Sequence, residues 1–173
     1  MTKAMLQILT ALLVFSATAA AQANNSATYL SGDQIQSTAK ELQAVTKGLS
    51  FRNVDVGDAH VAIAIQHRLK MGPIGMAGIM HTNVTEVYIV TTGSATLATG
   101  GTMTDQIPMK AGSEEGTGAG FRGKVAKANA IQAIKAGDVV IIPKNTPHWF
   151  TVIPEDLTYL VVRIDPSRTT DLK

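Results

Sequence analysis

The chain has 173 residues with 15 basic and 13 acidic side chains and no cysteine, and its formal charge of +2 and its length favour one folded domain. So small a charge argues against a nucleic-acid partner, because proteins that bind phosphate backbones use clustered Lys and Arg. Without cysteine, the chain has no disulfide, no thiolate ligand for zinc and no thiol nucleophile.

Residues 1–23 have the three parts of a secretory signal peptide. Lys3 is followed by an apolar stretch from Ala4 to Phe15 and then by small residues up to Ala23. The apolar stretch is shorter than the roughly 20 residues of a membrane-spanning helix, which favours cleavage over a permanent anchor. We therefore expect an exported protein, periplasmic or secreted, with no membrane contact after cleavage. The remaining chain of about 150 residues is long enough to build a hydrophobic core unaided.

The segment 24–49 predicts a polar leader followed by one amphipathic helix. Ser31 is a favourable N-cap residue, and the apolar side chains from Ile35 to Val45 recur at helical spacing. Gly48 is the predicted stop signal.

Residues 50–166 read as short β-branched runs separated by Gly and Pro, which predicts an all-β sandwich or barrel and not a parallel α/β sheet. The glycine-rich residues 104–127 are predicted to form a long loop. Residues 167–173 are predicted to form a C-terminal tail. The predicted strands are 59–69, 78–81, 86–92, 94–99, 130–134, 138–142, 148–153 and 157–164.

Two motifs stand out within these strands. They are Gly75-x5-His81-x-Asn83-x2-Glu86-x6-Gly93 and Gly137-x5-Pro143-x-Asn145-x2-His148. They resemble the first and second motifs of the cupin superfamily, and the resemblance extends from Val54 to Pro166. It implies a single-domain cupin jelly roll, a double-stranded β-helix of the RmlC-like type, preceded by the one helix. It also implies a small-molecule site in the barrel.

The resemblance further implies a divalent metal ion, either manganese, iron, nickel or zinc, held by His81, Glu86 and His148. Two imidazoles and one carboxylate are a ligand set that leaves exchangeable positions on such an ion. Metal-binding cupins typically carry a second His where Asn83 stands here, so Asn83 or His67 is the candidate fourth ligand. Alternate residues of a strand face the same side, so His81 and Glu86 meet only if a turn or bulge separates them.

The pocket beside this metal site is predicted from strand alternation. In the strand 59–69, the apolar positions from Val61 to Leu69 include His67, so that face is predicted to point inward. Tyr88 shares the phase of Glu86, and Phe150 shares the phase of His148. We therefore expect Tyr88, Phe150 and His67 to line the pocket.

Three functions are consistent with this reading. The first is a metal-dependent enzyme of the oxygenase or isomerase type. The second is a metal-free, non-catalytic module that binds a sugar or an organic acid. The third is a metal-free enzyme with His148 or His67 as general base and Tyr88 as acid.

A homodimer is also expected. Cupins often pair through sheet faces, and Val87, Ile89 and Thr91 form a partly apolar row on the side of their strand opposite Glu86.

Overall fold

The structure is a computed structural model that describes residues 26–169 except 74, 76 and 110–118. The predicted signal peptide lies outside the described residues, and so does the end of the predicted tail. The elements are α1 (Gly32–Leu42), β1 (Lys47–Asp55), β2 (His60–Arg68), β3 (Ala77–His81), β4 (Thr85–Thr92), β5 (Ser94–Thr99), β6 (Met103–Met109), β7 (Gly120–Val125), β8 (Ala130–Lys135), β9 (Val139–Ile142), β10 (His148–Val152) and β11 (Leu157–Asp165).

The strands form two antiparallel sheets. One has five strands in the order β1-β2-β11-β4-β9, and the other has six in the order β6-β7-β3-β10-β5-β8. The chain crosses repeatedly between the sheets, so consecutive strands such as β3 and β4 lie in different sheets. Side chains of both sheets meet in one core, which comprises Tyr88, Val90, Ala95, Leu97, Ile134, Ile142, Ile153, Leu157, Tyr159 and Val161.

The single described helix begins as predicted, because the Ser31 hydroxyl accepts a hydrogen bond from the Gln34 backbone N–H at 3.1 Å. It ends at Leu42, and the predicted stop at Gly48 is wrong. Gly48 lies within β1, where an added Cβ would come within 2.2 Å of the Gln66 side chain. The side-chain amide of Gln66 therefore occupies the space beside this glycine. The part of the chain that the structure describes contains no helix that could span a bilayer.

The predicted long loop at 104–127 is wrong in its two outer parts, which pair as β6 and β7. Two of the glycines that suggested a loop, Gly120 and Gly123, lie where backbones approach closely. An added Cβ would be 2.2 Å from the Met80 carbonyl oxygen at Gly120, and 2.5 Å from the Thr104 carbonyl oxygen at Gly123. Residues 110–118 lie outside the described residues.

The predicted inward face of β2 is also wrong. Gln66 pairs with Tyr159 and Ala64 pairs with Val161, and these side chains face the interior. His67 therefore lies on the outer side of the sheet. Because β2 is a central strand that is buried on both faces, with Ile65 fully buried on the outer one, hydrophobicity does not distinguish its two sides.

The outer face of the five-stranded sheet is apolar and partly exposed. Val87 and Ile89 of β4 are half-buried and Thr91 is exposed. On the neighbouring strand β9, Val139 and Ile141 are 59% and 66% exposed. The homodimer that this row suggests stays a prediction.

Gly93, between β4 and β5, gives a direct test of the fold. Its φ is +78°, and an added Cβ would lie 2.1 Å from the Asp156 carbonyl oxygen. The left-handed backbone alone costs a non-glycine residue about 1–2 kcal/mol. We therefore expect Gly93→Ala to lower the free energy of unfolding by more than about 2 kcal/mol, measured by urea denaturation.

The matched control for this prediction is Gly57→Ala. Gly57 has a φ of +97° but no atom within 4 Å of the added Cβ, so only the backbone cost applies. Equal losses in the two variants would show that the clash of the added Cβ with the Asp156 carbonyl oxygen contributes nothing to the loss of stability.

Candidate functional site

Three side chains of the two motifs converge between the sheets. His81 ends β3, Glu86 is the second residue of β4, and His148 opens β10. Their ligand atoms lie within 4.8 Å of one another, and the three residues are 1–3% exposed. The structure thus brings together the three residues that the sequence predicted as metal ligands.

The segment 82–84 explains how two residues five positions apart meet. It crosses from one sheet to the other, so His81 and Glu86 approach the interior from opposite sides. The Asn145 backbone N–H donates to the His81 carbonyl oxygen at 2.7 Å, which ties the second motif to the first. Asn145 has a φ of +63°, a left-handed conformation that Asn tolerates better than most residues.

Glu86 is the hub of the cluster. Its Oε1 accepts a hydrogen bond from Arg163 Nε at 2.8 Å, and its Oε2 accepts one from the Tyr88 hydroxyl at 3.1 Å. The same Oε2 lies 3.2 Å from His148 Nε2 and 3.6 Å from His81 Nε2. One carboxylate oxygen therefore binds the guanidinium, while the other faces the two imidazoles.

These contacts control the protonation of the site. Burial on its own would raise the pKa of Glu86, but His148, Arg163 and His81 outweigh it and hold that pKa well below its usual range. Burial, together with the charge of Glu86, raises the pKa of Tyr88 well above its usual value. At neutral pH Glu86 is ionised and Tyr88 is a neutral hydrogen-bond donor.

The orientation of His148 bears on what the cluster can hold. Its Nδ1 lies 3.0 Å from the Thr146 carbonyl oxygen, which only accepts hydrogen bonds, so Nδ1 carries a proton. In the neutral imidazole Nε2 then bears a lone pair, and this atom is buried without a hydrogen-bond partner in the described structure. A lone pair 3.2 Å from the Glu86 carboxylate calls for a proton or a cation between them. The donor set therefore fits a divalent metal.

Neither candidate for a fourth ligand lies in this cluster. Asn83 Nδ2 donates to the Thr169 hydroxyl. His67 Nδ1 forms a hydrogen bond of 2.9 Å with the Thr158 hydroxyl on the outer side of β2. The prediction of His67 as a ligand and pocket residue followed from the wrong choice of face for β2.

A cavity of about 570 Å³ leads from the cluster to the surface. Tyr88 and Phe150 line it, whereas His67 does not. The ring centroid of Tyr159 lies 4.7 Å from that of Tyr88 and 5.7 Å from that of Phe150, so one wall is aromatic. A volume of this size suits a small organic molecule.

The sequence reasoning missed Arg163, although a signal was present. Arg163 is the one charged side chain in the predicted strand 157–164, and it shares a phase with Tyr159 and Val161. A lone charge on an otherwise buried face requires a partner, and cross-strand pairing of Arg163 with Glu86 supplies it. Other cavity residues that were missed include Gln66, Arg68, Arg122 and Tyr159.

A comparison with protein-family profiles matches residues 57–171 to the family described as Cupin. This match covers well over half of the chain. The chain belongs to the cupin family. The predicted family and the predicted all-β jelly roll with one N-terminal helix are thereby confirmed. No curated protein matches this cupin.

Solved structures similar to this cupin include a protein from Bacillus halodurans, with 11% identity, coverage of 86% of this chain and 89% of that chain, and a TM-score of 0.48. An RmlC-like cupin with a double-stranded β-helix fold from Methanocaldococcus jannaschii is 14% identical, with coverage of 71% and 85% and a TM-score of 0.42. A cupin from Bacteroides fragilis is 12% identical, with coverage of 69% and 76% and a TM-score of 0.38.

Proposed function

We propose that this cupin binds a divalent metal ion through His81, Glu86 and His148 and acts on a small molecule in the adjoining cavity. The observation that carries the proposal is the close approach of His148 Nε2 to Glu86 Oε2, 3.2 Å apart and both buried. Both atoms carry lone pairs that repel each other, and a cation bound to both would relieve this repulsion. No described side chain donates a hydrogen bond to Nε2 that could do so instead.

The surrounding residues prepare the three ligands. The Thr146 carbonyl fixes the His148 tautomer that presents Nε2 to the site. Arg163 holds one oxygen of Glu86, so that the other is directed at the imidazoles. Imidazole and carboxylate ligands suit manganese, iron, nickel or zinc, and an ion so bound supplies Lewis-acid or oxygen-activating chemistry.

The proposed reaction classes are oxygenase and isomerase. Three protein ligands leave positions for a substrate, and the aromatic cavity leads directly to them. The signal-like composition of residues 1–23 supports the further proposal that the enzyme acts outside the cytoplasm, in the periplasm or as a secreted protein.

One observation favours a metal-free binding module as the second candidate. Arg163 already neutralises Glu86, so the cluster is charge-balanced without an ion when both imidazoles are neutral. If His148 also carried a proton on Nε2, that N–H would donate to Glu86 Oε2 in place of a metal ion. The metal-free enzyme has less support, because the hydroxyl of Tyr88 is engaged with Glu86 and its raised pKa makes it a poor acid.

Calorimetric titration of chelator-treated protein with manganese, iron(II), nickel and zinc ions tests the proposal. We expect one ion per chain and a rise in the melting temperature, because the ion binds the folded state. His148→Ala is expected to abolish both effects. His60→Ala is the control, since His60 is half-buried outside the cavity wall. Absence of binding, or equal binding by His148→Ala, would refute the metal site and leave the binding module.

A further inference from the structure

The charged side chains of the cavity wall are predominantly basic. Among the described lining residues, Glu86 is the one acidic side chain, and it is paired with Arg163. The wall also includes Lys47, Arg68 and Arg122. Since the whole chain carries a formal charge of only +2, the excess of basic groups is a property of this cavity and not of the overall composition.

Arg68 and Arg122 occupy interior-facing positions on opposite sheets. Arg68 follows Gln66 in the inward phase of β2, and Arg122 pairs with Ile79, which lines the cavity. Arg68 is half-buried and Arg122 is exposed, in contrast to the fully buried Glu86 cluster. The two guanidinium groups therefore belong to the mouth of the cavity, and the metal ligands to its floor.

Arg68 retains donors for a ligand. Its Nη1 lies 3.4 Å from the His67 carbonyl oxygen, a long hydrogen bond, and the group also lies beside the Tyr159 hydroxyl. A guanidinium has five N–H donors in a planar fork that matches a carboxylate. These contacts leave part of the fork available.

The wall between mouth and floor is largely apolar and aromatic, and its buried neutral polar side chain is Gln66. Tyr159 packs against both Phe150 and Tyr88, with ring centroids 5.7 and 4.7 Å away, and Leu97 and Ile153 also line the cavity. A ligand rich in hydroxyl groups would leave most of them without partners against this wall. An apolar or aromatic body would be buried there favourably.

We propose that the cavity takes an organic carboxylate with an apolar or aromatic body. Its carboxylate binds Arg68 and Arg122 at the mouth, and its body lies on Tyr159 and Phe150. The opposite end of the ligand then reaches the floor of the cavity. The inferred ligand class applies to the cavity beside the proposed metal site. It depends on the proposed function only for the chemistry at the cavity floor.

The test uses 3-phenylpropanoate and its neutral amide, 3-phenylpropanamide, titrated into the parent protein with and without bound metal. We expect the acid to bind about tenfold or more tightly than the amide, because a charge-assisted pair with a guanidinium is lost in the amide. The panel of ligands also includes other carboxylates of six to ten carbons, and the affinity for each is compared with the affinity for its own amide.

The variant Arg68→Gln/Arg122→Gln is expected to weaken binding of the acid about tenfold to a hundredfold and to leave binding of the amide unchanged. Arg52→Gln is the matched control. Arg52 is exposed and pairs with Ile63 on the outer side of the sheet, so its loss should change neither affinity.

Three results would overturn the inference. They are equal affinity for acid and amide, unchanged affinity for the acid in the double variant, and no binding of any carboxylate of the panel at millimolar concentration. An acid that binds only to the metal would bind the double variant as tightly as the parent, and it would bind neither protein without the metal. Metal titration of the same variant separates the two proposals. Normal metal binding with no acid binding refutes only this inference, whereas acid binding without metal binding refutes only the metal site.

Discussion

Arg163→Met is expected to lower the free energy of unfolding by about 3–5 kcal/mol at neutral pH, the cost of leaving a buried charge without its partner. Arg163 is 4% exposed, and its Nε donates to Glu86 Oε1 at 2.8 Å. Methionine replaces most of the aliphatic volume but not the charge. The carboxylate of Glu86, 1% exposed, then lies in the interior without its guanidinium. Urea denaturation of parent and variant measures the difference.

The pH dependence of this loss identifies its cause. In the parent, the pKa of Glu86 is held below its ordinary value of 4.5, so the ionised carboxylate contributes stability above that pH and the contribution is lost as the pH falls. Without Arg163 the pKa of Glu86 rises, and the variant relieves its buried charge by taking up a proton. The stability difference should therefore shrink as the pH is lowered through the pKa that Glu86 has in the variant. A difference that stays constant with pH would attribute the loss to packing.

Two control variants complete this experiment. Glu86→Gln/Arg163→Met removes both charges and should be more stable than Arg163→Met alone. Arg168→Met breaks the more exposed pair with Asp55 and should cost less than about 1 kcal/mol. A loss in the Arg168 variant as large as in the Arg163 variant would contradict the role assigned to burial.

The sequence predicted the candidate ligands because each lies in a motif whose spacing is local. His81 and Glu86 are five residues apart and His148 is three after Asn145, so each motif is short enough to be compared directly with those of cupins, and that resemblance implied the ligand set. Arg163 could not be assigned to Glu86 in this way. Their contact depends on the register of β4 against β11, which are separated by most of the barrel sequence. Alternation indicates which face a residue occupies but not its neighbour across the strand.

The remaining errors also have physical causes. Alternation could not orient β2, because both faces of this central strand are buried and the inward one carries the small residues Ala62 and Ala64. Glycine suggested a loop at 104–127, whereas Gly120 and Gly123 permit close backbone contact of β7 with its neighbours β3 and β6. In a sequence, a glycine that allows two strands to approach closely looks the same as a glycine in a turn. Only its neighbours in the folded structure distinguish the two.

Glu86→Gln is expected to weaken binding of the divalent ion by more than about a hundredfold, since even the loss of a group that supports a ligand costs 10–100-fold. Glutamine has nearly the shape of glutamate but carries no charge. Its amide N–H can donate to His148 Nε2, which satisfies that lone pair and removes it from the ion. The site then keeps two imidazoles beside the cationic Arg163 and has no anionic ligand.

Tyr88→Phe is the matched control for this variant. It removes the hydrogen bond to Glu86 Oε2 but keeps the carboxylate, so metal affinity should fall by about 10–100-fold, which is less than in Glu86→Gln. Both variants are titrated with zinc and manganese ions at a temperature where circular dichroism shows the native fold, because Glu86→Gln also leaves Arg163 without its anion. Equal stoichiometry and affinity in Glu86→Gln and the parent would mean that the ion binds elsewhere. Binding of small molecules retained in Glu86→Gln, with no ion bound even by the parent, would establish the cavity as a metal-free binding site.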